Sequence, residues 1–289
     1  MNTFHATDGT KLAYHVLGEG APLICLPGGP MRASRYLGNL GGLSEQRQLI
    51  LLDLRGTGES AVPDDAASYR CDRLLADVEA LRIHLEFERI DLLGHSAGAN
   101  IAVQYAIKNA ERTSRLLLVT PSTRAVGLET DSDMRRAIVR LREGEPWFVA
   151  AAAAFERIQA DGGSRDDWEA ITPLRYGRWD DAARADYLAE DEQANSEAAR
   201  IFGSPGAFDP EATRDALASF AQPVLLLAGE VDLNTVPQVA AEFAALFPNA
   251  RLVVQPGAGH SPWLDDAAWF RSALNAFLTD DAAIADAAT

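Results

Sequence analysis

Ser96 stands in Gly94-His95-Ser96-Ala97-Gly98, directly after the apolar run RIDLLG (89–94) and directly before ANIAVQYAIKNAER (99–112). A serine forced into a sharp strand-to-helix turn occupies strained backbone angles, and only small residues two before and two after it let the neighbouring backbone pass. Gly94 and Gly98 meet that need. The turn also leaves the hydroxyl at a helix N-terminus, where unpaired N–H groups favour developing negative charge. Ser96 is therefore the expected nucleophile. A neutral hydroxyl needs a base within hydrogen-bond reach, and histidine suits that role near neutral pH. Of the five histidines, His5 and His15 fall in a predicted N-terminal hairpin, His84 on a predicted helix, and His95 beside Ser96 in a turn whose adjacent side chains diverge. His260 remains, in Pro256-Gly257-Ala258-Gly259-His260-Ser261-Pro262. The imidazole needs an acid to fix its tautomer. Glu230 and Asp232 both follow the run PVLLLAG (223–229), and Asp232, further into the loop, is the expected partner. Charge on a substrate oxygen needs N–H donors. Those of Ala97, after the nucleophile, and Gly29, in Pro27-Gly28-Gly29-Pro30-Met31, are expected to form the oxyanion hole.

These side chains need a scaffold that brings distant segments to one edge. Short, continuous apolar runs at 22–27, 48–54, 89–94, 115–121, 223–229 and 251–257 read as strands of a parallel sheet covered on both faces. Between them lie helical patterns, such as Leu74, Val78, Leu81 and Leu85 on one stripe. The N-terminal stretch reads as an antiparallel hairpin about Asp8-Gly9. The fold class is α/β, and catalytic groups of such sheets collect at the carboxyl ends of the strands. From 124 to 220 no strand-like run appears, so residues 1–123 and 221–278 are expected to form the core, 124–220 an inserted helical cap or lid, and 279–289 a C-terminal tail.

The composition fits one elaborated domain: 289 residues, 47% apolar and 24% charged. The net charge of −16, with no Lys/Arg-rich run, argues against nucleic acid and anionic membranes as partners. Residues 125–220 carry 20 acidic and 11 basic side chains, so the expected lid is acidic. No apolar stretch is long enough to span a bilayer, and the first residues lack a signal pattern, which reads as a soluble, cytoplasmic protein. Cys25 and Cys71 read as buried thiols. No zinc cluster or phosphate-cradling loop is present in the sequence, so neither metal nor cofactor is expected. Nothing in it bears on oligomeric state.

Four blocks, LPGGP (26–30), LLDLRGTGES (51–60), LLGHSAG (92–98) and AGEVDL with PGAGHSPWLDD towards the end, resemble those of the α/β-hydrolases, in particular the proline iminopeptidase-like branch. The resemblance implies an α/β-hydrolase fold and a structural loop at Asp53 to Ser60, with Asp53 and Arg55 as organisers. A serine at position 96 separates the chain from relatives that attack with aspartate. Proline iminopeptidases usually carry His-Gly-Gly-Pro-Gly where this chain has Pro27 to Met31, and a Trp where it has Ala97. Their lid glutamates hold the substrate amine, for which Glu190, Asp191, Glu192 and Glu197 are the candidates here. The density of lid aromatics suggests an apolar pocket above Ser96, with most of them expected in the lid's own core and only two or three, for which Trp147 and Trp179 are the candidates, expected to touch substrate. The expected activity is hydrolysis of an ester, lactone, thioester or small amide of a small-molecule acyl substrate. An aminopeptidase, and a lyase or ligand-binding protein on the same scaffold, are the alternatives.

Overall fold

The computed structural model describes residues 2–280. Eight strands form one sheet: β1 (Asn2–His5), β2 (Lys11–Leu17), β3 (Pro22–Leu26), β4 (Gln48–Leu52), β5 (Ile90–His95), β6 (Thr113–Val119), β7 (Val224–Gly229) and β8 (Ala250–Gln255). Their order is β1-β2-β4-β3-β5-β6-β7-β8. β2 runs antiparallel to both its neighbours, closing the hairpin about Asp8-Gly9, and β3 to β8 are parallel. Side chains alternate across each strand, so Ile24, Leu26, Leu92, Leu116 and Leu118 enter one apolar core while Leu23, Cys25, Leu93, Leu117 and Val119 enter the other. Two buried faces explain why these strands read as unbroken apolar runs rather than as alternating ones. β8 is the exception. It lies at the sheet's edge, and Arg251 to Val254 are only partly covered.

The first core is covered by α1 (Cys71–His84) and α2 (Gly98–Lys108). Between β6 and β7 the chain makes six helices, α3 (Ser132–Arg140), α4 (Phe148–Asp161), α5 (Arg165–Ala170), α6 (Asp181–Gln193), α7 (Ser196–Phe202) and α8 (Pro210–Leu217), and its only β pairing is an isolated bridge from Ala194 to Arg32. After β7 come α9 (Pro237–Ala244), α10 (Pro262–Asp265) and α11 (Ala267–Leu278), of which α11 packs Phe270, Leu274 and Phe277 on the second core. Cys25 and Cys71 are free and buried, and burial pushes both thiols up. Among the described residues no helix is long and apolar enough to cross a membrane. Of the tail expected at 279–289, residues 281–289 lie outside those described.

The loop after β4 organises the sheet's upper edge. Asp53, 1% exposed, accepts hydrogen bonds from the Ser34 amide and hydroxyl at 2.8 and 2.7 Å, from the Glu59 amide at 3.0 Å, and contacts His15 Nε2 at 2.9 Å. Arg55 is buried and forked: it donates to Asp77 on α1 through Nε at 2.8 Å and Nη2 at 2.5 Å, and to Asp8 of the hairpin through Nη1 at 2.7 Å. Removing one member of a buried ion pair leaves the other charge uncompensated. Asp77→Ala is therefore expected to cost about 3 kcal/mol of folding stability, read as a lower midpoint in urea denaturation with an unchanged slope.

Candidate active site

β5 ends at His95 and α2 begins at Gly98, so Ser96 and Ala97 alone make the turn between them. Ser96 has φ of 50°, in the left-handed region a side chain rarely occupies. Its backbone is over-determined: the Ser96 amide donates to the Val119 carbonyl at 3.0 Å, and the Ser96 carbonyl accepts from the amides of Ala99 and Ser122, each at 3.0 Å. Glycines make the approach possible. A Cβ on Gly98 would meet the Pro27 carbonyl oxygen at 2.5 Å, one on Gly94 the Ala99 Cα at 2.7 Å, and one on Gly28 the Ser96 Cβ at 2.8 Å.

Three of the expected side chains meet at this turn. Ser96 Oγ lies 2.9 Å from His260 Nε2, and His260 Nδ1 lies 2.9 Å from Asp232 Oδ2. The Asp232 side chain is fully buried and the His260 side chain is 13% exposed. A carboxylate oxygen only accepts, so Nδ1 carries the proton and Nε2 presents its lone pair to the serine hydroxyl. The other Asp232 oxygen accepts from the Asn234 amide at 2.9 Å, which stops the carboxylate from turning. Glu230, the alternative acid, instead accepts from the Gly257 amide at 2.7 Å.

His95 does not reach the Ser96 hydroxyl, but it has another place. Its Nε2 lies 2.9 Å from the His260 carbonyl and its Nδ1 2.5 Å from the Tyr36 hydroxyl. A carbonyl cannot donate, so Nε2 carries the hydrogen, Nδ1 accepts from the Tyr36 O–H, and the Tyr36 oxygen accepts from the Gly28 amide at 2.7 Å. Burial, with His260 nearby, pushes the His95 imidazole well below the ordinary histidine range, which keeps this tautomer neutral. The chain ties the loop after β3 to the loop that carries His260. Thr120 adds a second donor to the same His260 carbonyl at 2.9 Å. Tyr36 and Thr120 carried no signal in the sequence, since neither sits in a motif and both act by packing across the sheet edge.

With Gly28 so engaged, the next amide is that of Gly29. Neither the Gly29 nor the Ala97 N–H has a hydrogen-bond partner among the described residues, and both residues line the cavity that Ser96 and His260 line. Its volume is about 520 Å³. A second chamber of about 760 Å³ adjoins it, sharing Gly29, Arg135, Arg175 and Asn234. A family model described as the alpha/beta hydrolase fold matches residues 21–267. The chain belongs to that family. Among relatives of this α/β-hydrolase, the proline iminopeptidase of Lactiplantibacillus plantarum is 25% identical over 286 residues, covering 94% of this chain and 98% of its own. The crystal structure of a proline iminopeptidase from Mycobacterium smegmatis superposes with a TM-score of 0.74 at 24% identity, covering 96% of this chain and 97% of that one. An esterase from Thermogutta terrifontis gives 0.70 at 22%, over 96% and 98%.

The hydrolase's cavity differs from the one expected in its walls. Trp147, Trp179, Glu192 and Glu197 line neither chamber. Trp147 packs against the small apolar cluster of Val139, Ala151, Phe155 and Leu174, under the Arg142 guanidinium. Trp179 stacks among Tyr176, Tyr187 and Arg184. Glu192, with its side chain 84% exposed, faces Arg35 at 3.6 Å, and Glu197 sits exposed in the first turn of α7. Of the helical segment's aromatics, Tyr176 and Phe202 line the Ser96 cavity, and Phe155, Trp168 and Tyr187 line the second chamber. The Ser96 cavity is more polar than expected, its lining including Arg32, Arg124, Arg135 and Arg175 beside Glu129, Asp186 and Glu190.

Proposed function

We propose that this chain is a serine hydrolase that cleaves an ester, lactone, thioester or small amide through an acyl-enzyme. His260 Nε2 takes the hydroxyl proton as Ser96 Oγ attacks the carbonyl, and returns it to the leaving group as the tetrahedral intermediate collapses. Water repeats the sequence on the acyl-serine. Asp232 holds the imidazole in the accepting tautomer, and the Gly29 and Ala97 amides receive the oxyanion, each donor being worth about 3 kcal/mol in comparable sites. Residues 1–123 and 221–278 act as the catalytic core, and 124–220 as the cap over it. The observation that carries this reading is the continuous Ser96–His260–Asp232 contact, 2.9 Å at each step, beside two amides without partners among the described residues. Incubation with a fluorophosphonate probe is expected to label Ser96, located by peptide mass spectrometry. An unlabelled protein would end the proposal.

The names of several relatives favour a second reading, release of N-terminal proline. An ammonium needs an available carboxylate, and two of the three in the cavity are taken. Asp186 pairs with Arg32 at 2.7 Å and accepts from the Tyr176 hydroxyl at 2.8 Å, and Glu190 lies 2.7 Å from Arg175. We therefore place ester or lactone cleavage first, and expect turnover of 4-nitrophenyl esters with none of prolyl-4-nitroanilide.

A further inference from the structure

The charged groups around Ser96 do not balance. Four guanidinium groups face three carboxylates, in a chain whose total charge is −16. Two of the pairs are internal to the wall, Arg32 with Asp186 and Arg175 with Glu190. Among the described residues, Arg124 and Arg135 have no carboxylate within ion-pair distance. Arg124 leans away, over the Phe208 ring at 5.2 Å and towards the Gly203 carbonyl at 3.4 Å. Arg135, on α3, is different. Its Nε donates to the Leu233 carbonyl at 3.2 Å, while its two terminal nitrogens have no hydrogen-bond partner among the described residues. One tether at Nε orients the plane and leaves the paired N–H edge open, the edge that grips a carboxylate with two parallel bonds. Arg135 also lines both chambers, so a molecule extending from Ser96 into the larger one passes it. Glu129, the remaining carboxylate of the Ser96 cavity, is exposed, and the larger chamber adds Glu169 and Asp191 beside Arg165, so it is the open Arg135 edge itself, rather than the charge count, that favours an anion.

We infer that the substrate of this hydrolase bears a free carboxylate that docks on Arg135 while its reacting carbonyl faces Ser96. The inference rests on the serine-hydrolase reading for the carbonyl, but not for the anion. The chemical class is a half-ester of a dicarboxylic acid, or an ester or lactone with a carboxylate a few carbons from the reacting carbonyl. Recognition by a charge-assisted bidentate pair also selects against the uncharged analogue, which would have to bury the Arg135 edge without a partner.

Two measurements test this and separate it from the hydrolytic proposal. In the first, calorimetry on the Ser96→Ala protein compares monomethyl adipate with methyl hexanoate, which match in chain length and differ in the carboxylate. The half-ester is expected to bind about tenfold or more tightly. In Arg135→Gln the ratio of the two affinities should fall close to one, and Arg135→Lys should restore part of it. The ratio cancels any loss common to both ligands, such as a shift of the Leu233 backbone. Equal binding of the two esters to Ser96→Ala, or an unchanged ratio in Arg135→Gln, overturns the inference. In the second, wild-type kcat/KM is compared for the mono-4-nitrophenyl adipate and 4-nitrophenyl hexanoate, the adipate being expected to lead by a similar factor. A binding preference without turnover of either ester leaves the anion site standing and rejects the serine hydrolase. Turnover that favours hexanoate rejects the anion site and leaves the hydrolase.

Discussion

Replacing Ser96 by alanine is expected to lower kcat by roughly four to six orders of magnitude while the protein still folds. The loss is large because, among the described residues, the hydroxyl is the one nucleophile that His260 Nε2 reaches, at 2.9 Å, and water held in its place would lack both the fixed geometry and the covalent intermediate. The fold should tolerate the change because the turn is held by backbone bonds to Val119, Ala99 and Ser122, none of which uses the hydroxyl. Alanine at φ of 50° is about as strained as serine, so the melting temperature should move by only a few degrees. Steady-state turnover of an activated ester and a thermal melt together check both halves. Residual turnover within tenfold of wild type would remove Ser96 from the reaction.

Asp232→Asn is expected to cost about 10⁴-fold in kcat, although the replacement is nearly isosteric. The carboxylate accepts on both oxygens, from His260 Nδ1 and from the Asn234 amide. An asparagine has one oxygen to give. Turned towards Asn234, it sets its NH₂ against Nδ1, the imidazole changes tautomer, and Nε2 arrives at Ser96 already protonated. Turned towards His260, it sets its NH₂ against the Asn234 N–H, a buried clash of donors. Either outcome disarms the base. Single-turnover kinetics with an excess of enzyme would read the acylation step directly, and a loss of less than tenfold would show that the tautomer is set elsewhere.

How much of this was legible in the sequence depended on whether the cause was local. The Ser96 turn was, because the reason for Gly94 and Gly98 is steric and lies within five residues, and the coordinates show the Cβ contacts that forbid anything larger. The meeting of Ser96 with His260 followed from topology: β5 and β8 are parallel, so the loops after them open at the same edge. Asp232 was separable from Glu230 only by its position in the loop. The helical segment was opaque for the opposite reason. Its aromatics and acids have no period tied to a sheet, so nothing in the sequence told Trp147 and Trp179, which pack on cap residues, from Tyr176 and Phe202, which face the cavity. The ligand role proposed for Arg135 was invisible because it rests on the lack of a carboxylate partner among the described residues, and pairing is decided by the whole wall.

The segment between β6 and β7 also touches both halves of the chemistry through its main chain. The Arg175 carbonyl accepts from the His260 amide at 2.8 Å, and the Gln193 carbonyl accepts from the Ala33 amide at 2.9 Å, close to the turn that bears Gly29. On the reading proposed above, the cap is thus tied to the loop of the base on one side and to the oxyanion turn on the other. Lifting it to exchange ligands would break both stitches together. If the segment does act as that cap, an uncovered pocket would be a disarmed one, with bond cleavage confined to the interval in which bulk solvent is shut out.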